Sequence, residues 1–324
     1  MKGWPVRRFQ PLLCALIIFC IATWTLSIVV AVDAHGANKA LSVRQAAPGI
    51  FVHYGAHEEA SLQNGGAIAN IGFVIGDRCI AVIDTGGSYE NGNRLYRAIR
   101  EVSPLPICYV INTHFHPDHV FGNAAFLKES PEFIGHENLA AAMRARELFY
   151  LKALANAVGE QAFKGTTVVP PSVEVASVKT IDLGGRALVI QAWQTAHTNA
   201  DLTVLDKKTD TLWLGDLLFE KRVPSIDGSL IGWLAVMEEL KKMEADLVIP
   251  GHGVPSTNWP GALTAQAGYL NALLRDVRQA LKEKKSLRQA VQQAAQDERS
   301  KWLLFDDYHA RNVTTAYTEL EWED

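Results

Sequence analysis

The hexapeptide His114-Phe115-His116-Pro117-Asp118-His119 packs three of the chain's 10 histidines and a carboxylate into one short stretch, directly after the apolar run 107–111. A β-branched apolar run of that length reads as a strand, and the short loop that follows a strand aims several side chains at one point. Imidazole with carboxylate is the donor set that zinc and similar ions take. The alternative, a solvated histidine-rich turn, gives no reason for the cluster to follow a strand. The chain must therefore fold so that a strand end delivers this loop to further ligands.

Residues 1–34 stand apart from the fold. Lys2, Arg7 and Arg8 precede an uncharged apolar stretch over 9–32, and the stretch ends near the small-residue pattern Val32-Asp33-Ala34. That pattern is an export signal, read either as a cleaved signal peptide or as a retained N-terminal membrane anchor. The expected location is thus periplasmic or otherwise exported in a bacterium, with anchoring to the inner membrane as the second form. Arg7-Arg8-Phe9 hints at twin-arginine export. Outside the leader only Cys79 and Cys108 remain. They are read as two buried thiols, with pairing left open, and they are too few for a cysteine-rich structural zinc site. A formal charge of -4 and a sequence pI near 6.2 give no electrostatic reason to expect nucleic acid as a partner.

The body alternates short strands with helices. Strands are expected over 50–54, 67–75, 79–84, 107–112, 133–135, 173–175, 179–183, 187–193, 202–206, 211–214 and 247–250. Gly76-Asp77 reads as a hairpin turn, and helices are expected over 91–101, 139–158 and 229–243. Such a series makes an α/β protein of layered, mixed sheets. Residues 35–260 form the expected catalytic domain. From 261 to 324 the character changes: Leu270, Leu273, Leu274, Val277 and Leu281 recur at helical spacing opposite Arg275, Arg278 and Lys282, giving a helical C-terminal extension.

Three more polar residues follow strand-like runs: His197 in Thr195-Ala196-His197-Thr198, Asp216 in Leu214-Gly215-Asp216, and His252 in Pro250-Gly251-His252-Gly253. Singly, each is as ordinary as a capping residue. Together with the hexapeptide they make a seven-membered set.

In that set, over residues 49–255, the chain resembles the metallo-β-lactamase superfamily. The resemblance implies a four-layer αββα sandwich with a binuclear centre at the edge between its sheets. It also implies that His114, His116 and His197 hold one metal, that Asp118, His119 and His252 hold the second, and that Asp216 bridges them. Two Zn2+ ions are the expected cofactor, and iron or manganese suits the same ligands. The implied activity is hydrolysis of an ester, thioester, lactone or amide of a small-molecule substrate by water activated between the ions, with Asp118 as the catalytic carboxylate. The blocks Ile71-Gly72-Phe73-Val74-Ile75-Gly76, Val82-Ile83-Asp84-Thr85-Gly86-Gly87-Ser88, His116-Pro117-Asp118-His119-Val120-Phe121-Gly122-Asn123 and Pro224-Ser225-Ile226-Asp227-Gly228-Ser229 are similar to the quinoprotein relay system zinc metallohydrolases. That similarity implies a functional link to a PQQ-dependent dehydrogenase. Three other readings stay open: a zinc β-lactamase, a mononuclear iron dioxygenase acting on a sulfur compound, and a non-catalytic metal carrier.

Other residues divide as follows. Asp84, at a strand end, is expected to hydrogen-bond a ligand histidine. His136 is read as a satisfied structural histidine, and His53, His57 and His309 as surface or packing residues. Lys221 and Arg222 either hold a substrate carboxylate or form a solvated charged pair. Trp302, Phe305 and Tyr308 either cover the active-site mouth or dock the tail.

Overall fold

One hydrophobic core between two sheets and one on each outer face decide how the elements stack. The computed structural model describes residues 1–3 and 39–323. The leader expected over 1–34 therefore lies, past Gly3, outside the described residues. Among the described residues no helix is long and apolar enough to cross a membrane.

Seven strands form the first sheet in sequence order: β1 Arg44–Ala47, β2 Ile50–His53, β3 Ile71–Ile75, β4 Ile80–Ile83, β5 Ile107–Ile111, β6 Glu132–His136 and β7 Val173–Val175. The first four pair antiparallel, and β4 to β7 run parallel. The crossovers are helical: α1 Tyr89–Val102 between β4 and β5, the one-turn α2 Pro117–Val120 with a 3-10 turn over Asn123–Glu129 before β6, and α3 Leu139–Phe163 before β7. The second sheet has the order β12-β11-β10-β9-β8, from β8 Val178–Asp182, β9 Ala187–Ala192, β10 Leu202–Asp206, β11 Thr211–Phe219 and β12 Leu247–His252, with α4 Leu230–Leu240 between the last two. β11 and β12 pair parallel, and the others antiparallel.

Between the sheets lies a core of Ile50, Val74, Ile83, Ile111, Ile134, Ile190, Val204, Trp213 and Ile249. On the outer face of the first sheet, Phe73 and Val82 pack on Leu95 and Ile99 of α1 and on Phe126. On the outer face of the second, Leu212, Leu214 and Val248 meet Trp233 and Val236 of α4. Helix, sheet, sheet, helix is thus the layer order. The extension, α5 Thr264–Lys282, α6 Leu287–Gln293 and α7 Phe305–Leu320, shares the same core as α4 through Leu270, Leu273, Val277, Val313 and Ala316.

Several local outcomes differ from the sequence reading; the strand expected over 211–214 runs on to Phe219, so that Asp216 lies within it. β1 was not expected, because RQAA carries no apolar alternation, and it pairs with β2 on one side only. The strand expected from residue 67 begins at Ile71, because the preceding backbone is committed elsewhere. The Asn70 N–H donates to the Gly251 carbonyl (2.7 Å), its Nδ2 donates to the carbonyls of Pro250 and Gly253 (both 2.8 Å), and its Oδ1 accepts from the Gly55 N–H (3.0 Å). α3 runs past the expected end to Phe163, with a break at Gly159 (φ 77, ψ 167), a conformation open to glycine.

Candidate metal centre

Five strands deliver a polar residue to one edge. Asp84 follows β4, the hexapeptide follows β5, His197 follows β9, Asp216 lies within β11 and His252 ends β12. Carboxyl ends of parallel strands are where α/β sheets leave a crevice. The ladder between β11 and β12 is irregular at Gly215, whose φ of 51 turns Asp216 toward the hexapeptide; a Cβ on Gly215 would sit 2.7 Å from that of Thr113. Gly251 clears the space opposite, since a Cβ there would come within 1.9 Å of Asp216 Oδ1.

The structure brings the seven side chains together in two groups. The inward nitrogens of His114, His116 and His197 meet one another, with His114 Nε2 and His197 Nε2 each 3.0 Å from His116 Nδ1. Asp118, His119 and His252 form the second group, His252 Nε2 lying 3.3 Å from Asp118 Oδ2. Asp216 serves both groups. Its Oδ2 is 3.7 Å from His114 Nε2, 3.4 Å from His197 Nε2 and 3.4 Å from His252 Nε2, while Oδ1 is 3.1 Å from His119 Nε2.

What marks this cluster as a candidate metal centre is the orientation of the five imidazoles. Each spends its outer nitrogen on an acceptor. His119 Nδ1–H donates to Asp84 Oδ2 (2.8 Å), His252 Nδ1–H to the Ile68 carbonyl (2.8 Å), His197 Nδ1–H to the Ser225 carbonyl (2.7 Å) and His116 Nε2–H to Asp227 Oδ2 (3.1 Å). His114 Nδ1–H donates to the Thr113 hydroxyl (3.1 Å), which itself donates to Asp84 Oδ2 (2.7 Å). In each neutral ring the inward nitrogen is then a bare lone pair. With every ring neutral, five lone pairs and two carboxylates converge, and His119 Nε2 and Asp216 Oδ1 are buried without hydrogen-bond partners among the described residues. Buried acceptors facing one another are costly unless a cation lies among them. The donor set fits divalent ions of the zinc type, one in each group, with the Asp216 carboxylate reaching both.

Titration behaviour of the metal-free cluster agrees. Burial pushes His197 down to about 3 against the pull of Asp216, and burial with neighbouring His119 holds His114 well below the usual imidazole range. In the other group burial also disfavours the cation, but Asp216, with Asp118 and Asp84 at His119, outweighs it and holds His119 and His252 above that range. The carboxyls of Asp118 and Asp216 are held low by His119 and His252 despite their burial. In the metal-free cluster, protons on His119 and His252 stand where a cation would, and a bound metal would displace them.

Several supports keep the rings in place. Asp84 sits at φ 54, an uncommon conformation for a residue with a side chain, and its Oδ1 also accepts the Thr113 N–H (2.8 Å). Phe219 stacks on His252 at 5.1 Å between centroids, and Trp233 meets His197 edge-on at 5.2 Å. Asp227, which orients His116, was not singled out from the sequence as a site residue. It is held by Arg311 (3.1 Å) and lies 3.9 Å from Arg146. Its signal was present, since the block Pro224 to Ser229 was already conspicuous. The carbonyls of Ile68 and Ser225 carry no side-chain signal and were not legible.

Of the other residues, His136 bonds the Trp193 carbonyl and the Asn138 N–H and lies apart from the cluster. Arg222 is not a solvated charge. Its side chain is buried, lies over the Tyr308 ring, and bonds Tyr308 and Glu59. Trp302 and Phe305 dock the tail in the core, whereas Tyr308 reaches Glu59 beside the centre (2.5 Å).

A family model described as the metallo-beta-lactamase superfamily matches residues 64–252. Among solved structures the chain is similar to a metallo-beta-lactamase from Pontibacter korlensis, with a TM-score of 0.57 and 20% identity over 71% of this chain and 99% of that one. It is also similar to a stereoselective inverting sec-alkylsulfatase from Pseudomonas sp., with a TM-score of 0.68 and 16% identity over 87% of this chain and 51% of that one. A curated linear primary-alkylsulfatase from Pseudomonas sp. is 38% identical over 50 residues, 15% of this chain. The chain spans about half of the solved sec-alkylsulfatase and only 10% of the curated relative.

Proposed function

Because the chain belongs to the metallo-beta-lactamase superfamily, we propose that it is an exported binuclear metallohydrolase, loaded with zinc, that cleaves a carboxylic ester, thioester, lactone or amide. The observation that carries the reading is the uniform orientation of five imidazoles, each with its outer N–H spent and its lone pair directed inward around a carboxylate common to both groups.

Bound there, a pair of divalent ions would supply a Lewis acid for the carbonyl oxygen, making its carbon more electrophilic, and would make water acidic enough to ionise near neutral pH. The protein's own residues do the rest. His114, His116 and His197, their rings fixed by Thr113, Asp227 and Ser225, hold one side, and Asp118, His119 and His252 hold the other. Asp216 keeps the two sides at a fixed separation. Asp118 is the more open of the two site carboxylates, its side chain 17% exposed against 4% for Asp216. It is the group placed to orient the attacking water, take its proton and return a proton to the leaving oxygen, nitrogen or sulfur.

Similarity to alkylsulfatases favours a second reading, hydrolysis of a sulfate ester at the same centre. The sequence blocks similar to quinoprotein-associated hydrolases support a periplasmic setting and a functional link to a PQQ-dependent dehydrogenase. The deciding experiment loads chelator-treated protein with zinc, manganese or iron and assays esters, thioesters, lactones, amides, β-lactams and alkyl sulfates. Two zincs per chain with ester or lactone turnover upholds the proposal. One iron with oxygen uptake on a persulfide supports the dioxygenase, and silence on every substrate supports a carrier. For the link, turnover by a purified quinoprotein dehydrogenase is measured with and without the protein, and no difference removes it.

A further inference from the structure

Beside Asp118 opens a cleft of about 240 Å³, roofed by α3 and the loop that carries Glu59 and Ile68. Its volume is that of about eight waters at roughly 30 Å³ each, below the span of pockets that take drug-sized ligands. The α3 residues in its wall, Tyr150, Ala153, Leu154 and Ala157, follow the spacing of one helix face, so a single stripe of the helix looks into it. Two alanines in that stripe leave the room that a larger side chain would take.

The polar side chains of the cleft are three, and their states differ. Glu59 is already engaged, accepting from the Tyr308 hydroxyl at 2.5 Å and pairing with Arg222 at 3.3 Å, so it offers no free anion. Asp118 belongs to the candidate metal centre. Tyr150 makes no hydrogen bond among the described residues, and its hydroxyl, pushed up to about 12 by burial and by Asp227, is a donor at neutral pH. The remaining wall is Ala60, Ile68, Gly66, Gly87 and Pro117. A charged group placed here would lose its hydration without gaining a counter-ion, whereas an apolar group loses nothing and releases water.

We propose that this cleft holds the compact apolar substituent on the acyl side of the substrate, with Ala157 setting its depth and Tyr150 donating a hydrogen bond to an acyl oxygen. The assignment rests on the hydrolase reading above and deepens it to a substrate class: neutral acyl compounds with a short aliphatic chain. Each methylene taken into such a cleft is worth about fourfold in binding, so a six-carbon acyl group, longer by four methylenes, outcompetes a two-carbon one by up to about 250-fold.

Two readouts test it on the zinc-loaded full chain. The first is calorimetric binding of hexanoate against acetate, the product forms of two esters. The second is the ratio of kcat/KM for p-nitrophenyl hexanoate over p-nitrophenyl acetate, which cancels any loss of active protein. The expected result is a hexanoate preference of tenfold or more that collapses toward unity in Ala157→Trp, with Tyr150→Phe weakening both acids by roughly fivefold. Ala153→Trp, at the rim, serves if the first variant does not fold, as judged by circular dichroism. A hexanoate preference that vanishes in the variant while no ester is turned over upholds the cleft and sinks the hydrolase reading. Hexanoate binding no tighter than acetate, or a preference surviving both tryptophans, overturns the proposal.

Discussion

Replacing Gly251 by alanine adds one methyl group, and the structure says where it lands. An ideal Cβ at that position lies 1.9 Å from Asp216 Oδ1, 2.7 Å from the Gly215 carbonyl carbon and 2.8 Å from the Asp216 nitrogen. Ordinary contact begins near 3.4 Å, so the carboxylate must retreat by about 1.5 Å, and the two backbone atoms give it little freedom to do so. Asp216 is the group within reach of both histidine sets, and a displacement of that size takes it out of range of at least one. A misplacement of about 1 Å costs on the order of 100-fold in a positioned reaction. Gly251→Ala is therefore expected to lower zinc content from two equivalents to one or fewer and kcat/KM by about 100-fold or more. Elemental analysis after dialysis against buffered zinc, followed by assay on whichever ester the parent turns over, measures both. A Gly251→Ala protein that folds, keeps two zincs and loses less than threefold activity would refute the bridging role of Asp216.

Three further expectations follow from particular contacts. Asp84→Asn keeps the shape of the group but sets one amide hydrogen against either His119 Nδ1–H or the Thr113 donors; zinc affinity, read by competition with a chelator, should fall about 10- to 100-fold, and an unchanged affinity would remove Asp84 from the account. Trp302, packed against Tyr269 in the core shared by tail and body, should cost about 3–5 kcal/mol of stability on truncation to alanine, measured by urea unfolding; a loss below 1 kcal/mol would show the extension to be loosely attached. His309 is buried between the Tyr269 hydroxyl and the Ala294 carbonyl, and burial holds it below its usual 6.5. An unfolded chain takes up that proton first as pH falls, so the stability His309 contributes is fully present above pH 6.5 and is lost as pH drops through its lower folded value. His309→Gln, which retains a donor and an acceptor, should flatten the fall in Tm of the metal-free protein between pH 7 and 5, and an identical slope would count against the assignment.

Much of this arrangement was readable from residues whose chemistry repeats the same message locally. The hexapeptide follows a strand, and His197, Asp216 and His252 each follow an apolar run, so their convergence required only that parallel strands present their carboxyl ends together. Asp84 was legible for the same reason. What escaped was carried by backbone or by distant pairs. The carbonyls of Ile68 and Ser225 orient His252 and His197 without any side-chain signature. Asn70 spends the backbone of an expected strand on the strand end that carries His252, because a buried asparagine with three good acceptor and donor partners outweighs the β preference of its neighbours. Arg222 looked like half of a surface pair, since nothing local announces that Tyr308, 86 residues later, will cover it.

The most direct measurement is anomalous diffraction at the zinc edge from crystals of protein reconstituted with zinc after chelation. Two peaks roughly 3.5–4 Å apart are expected, one among His114, His116 and His197 and the other among Asp118, His119 and His252, with Asp216 in contact with both. A single peak, or none among these seven side chains, would contradict it.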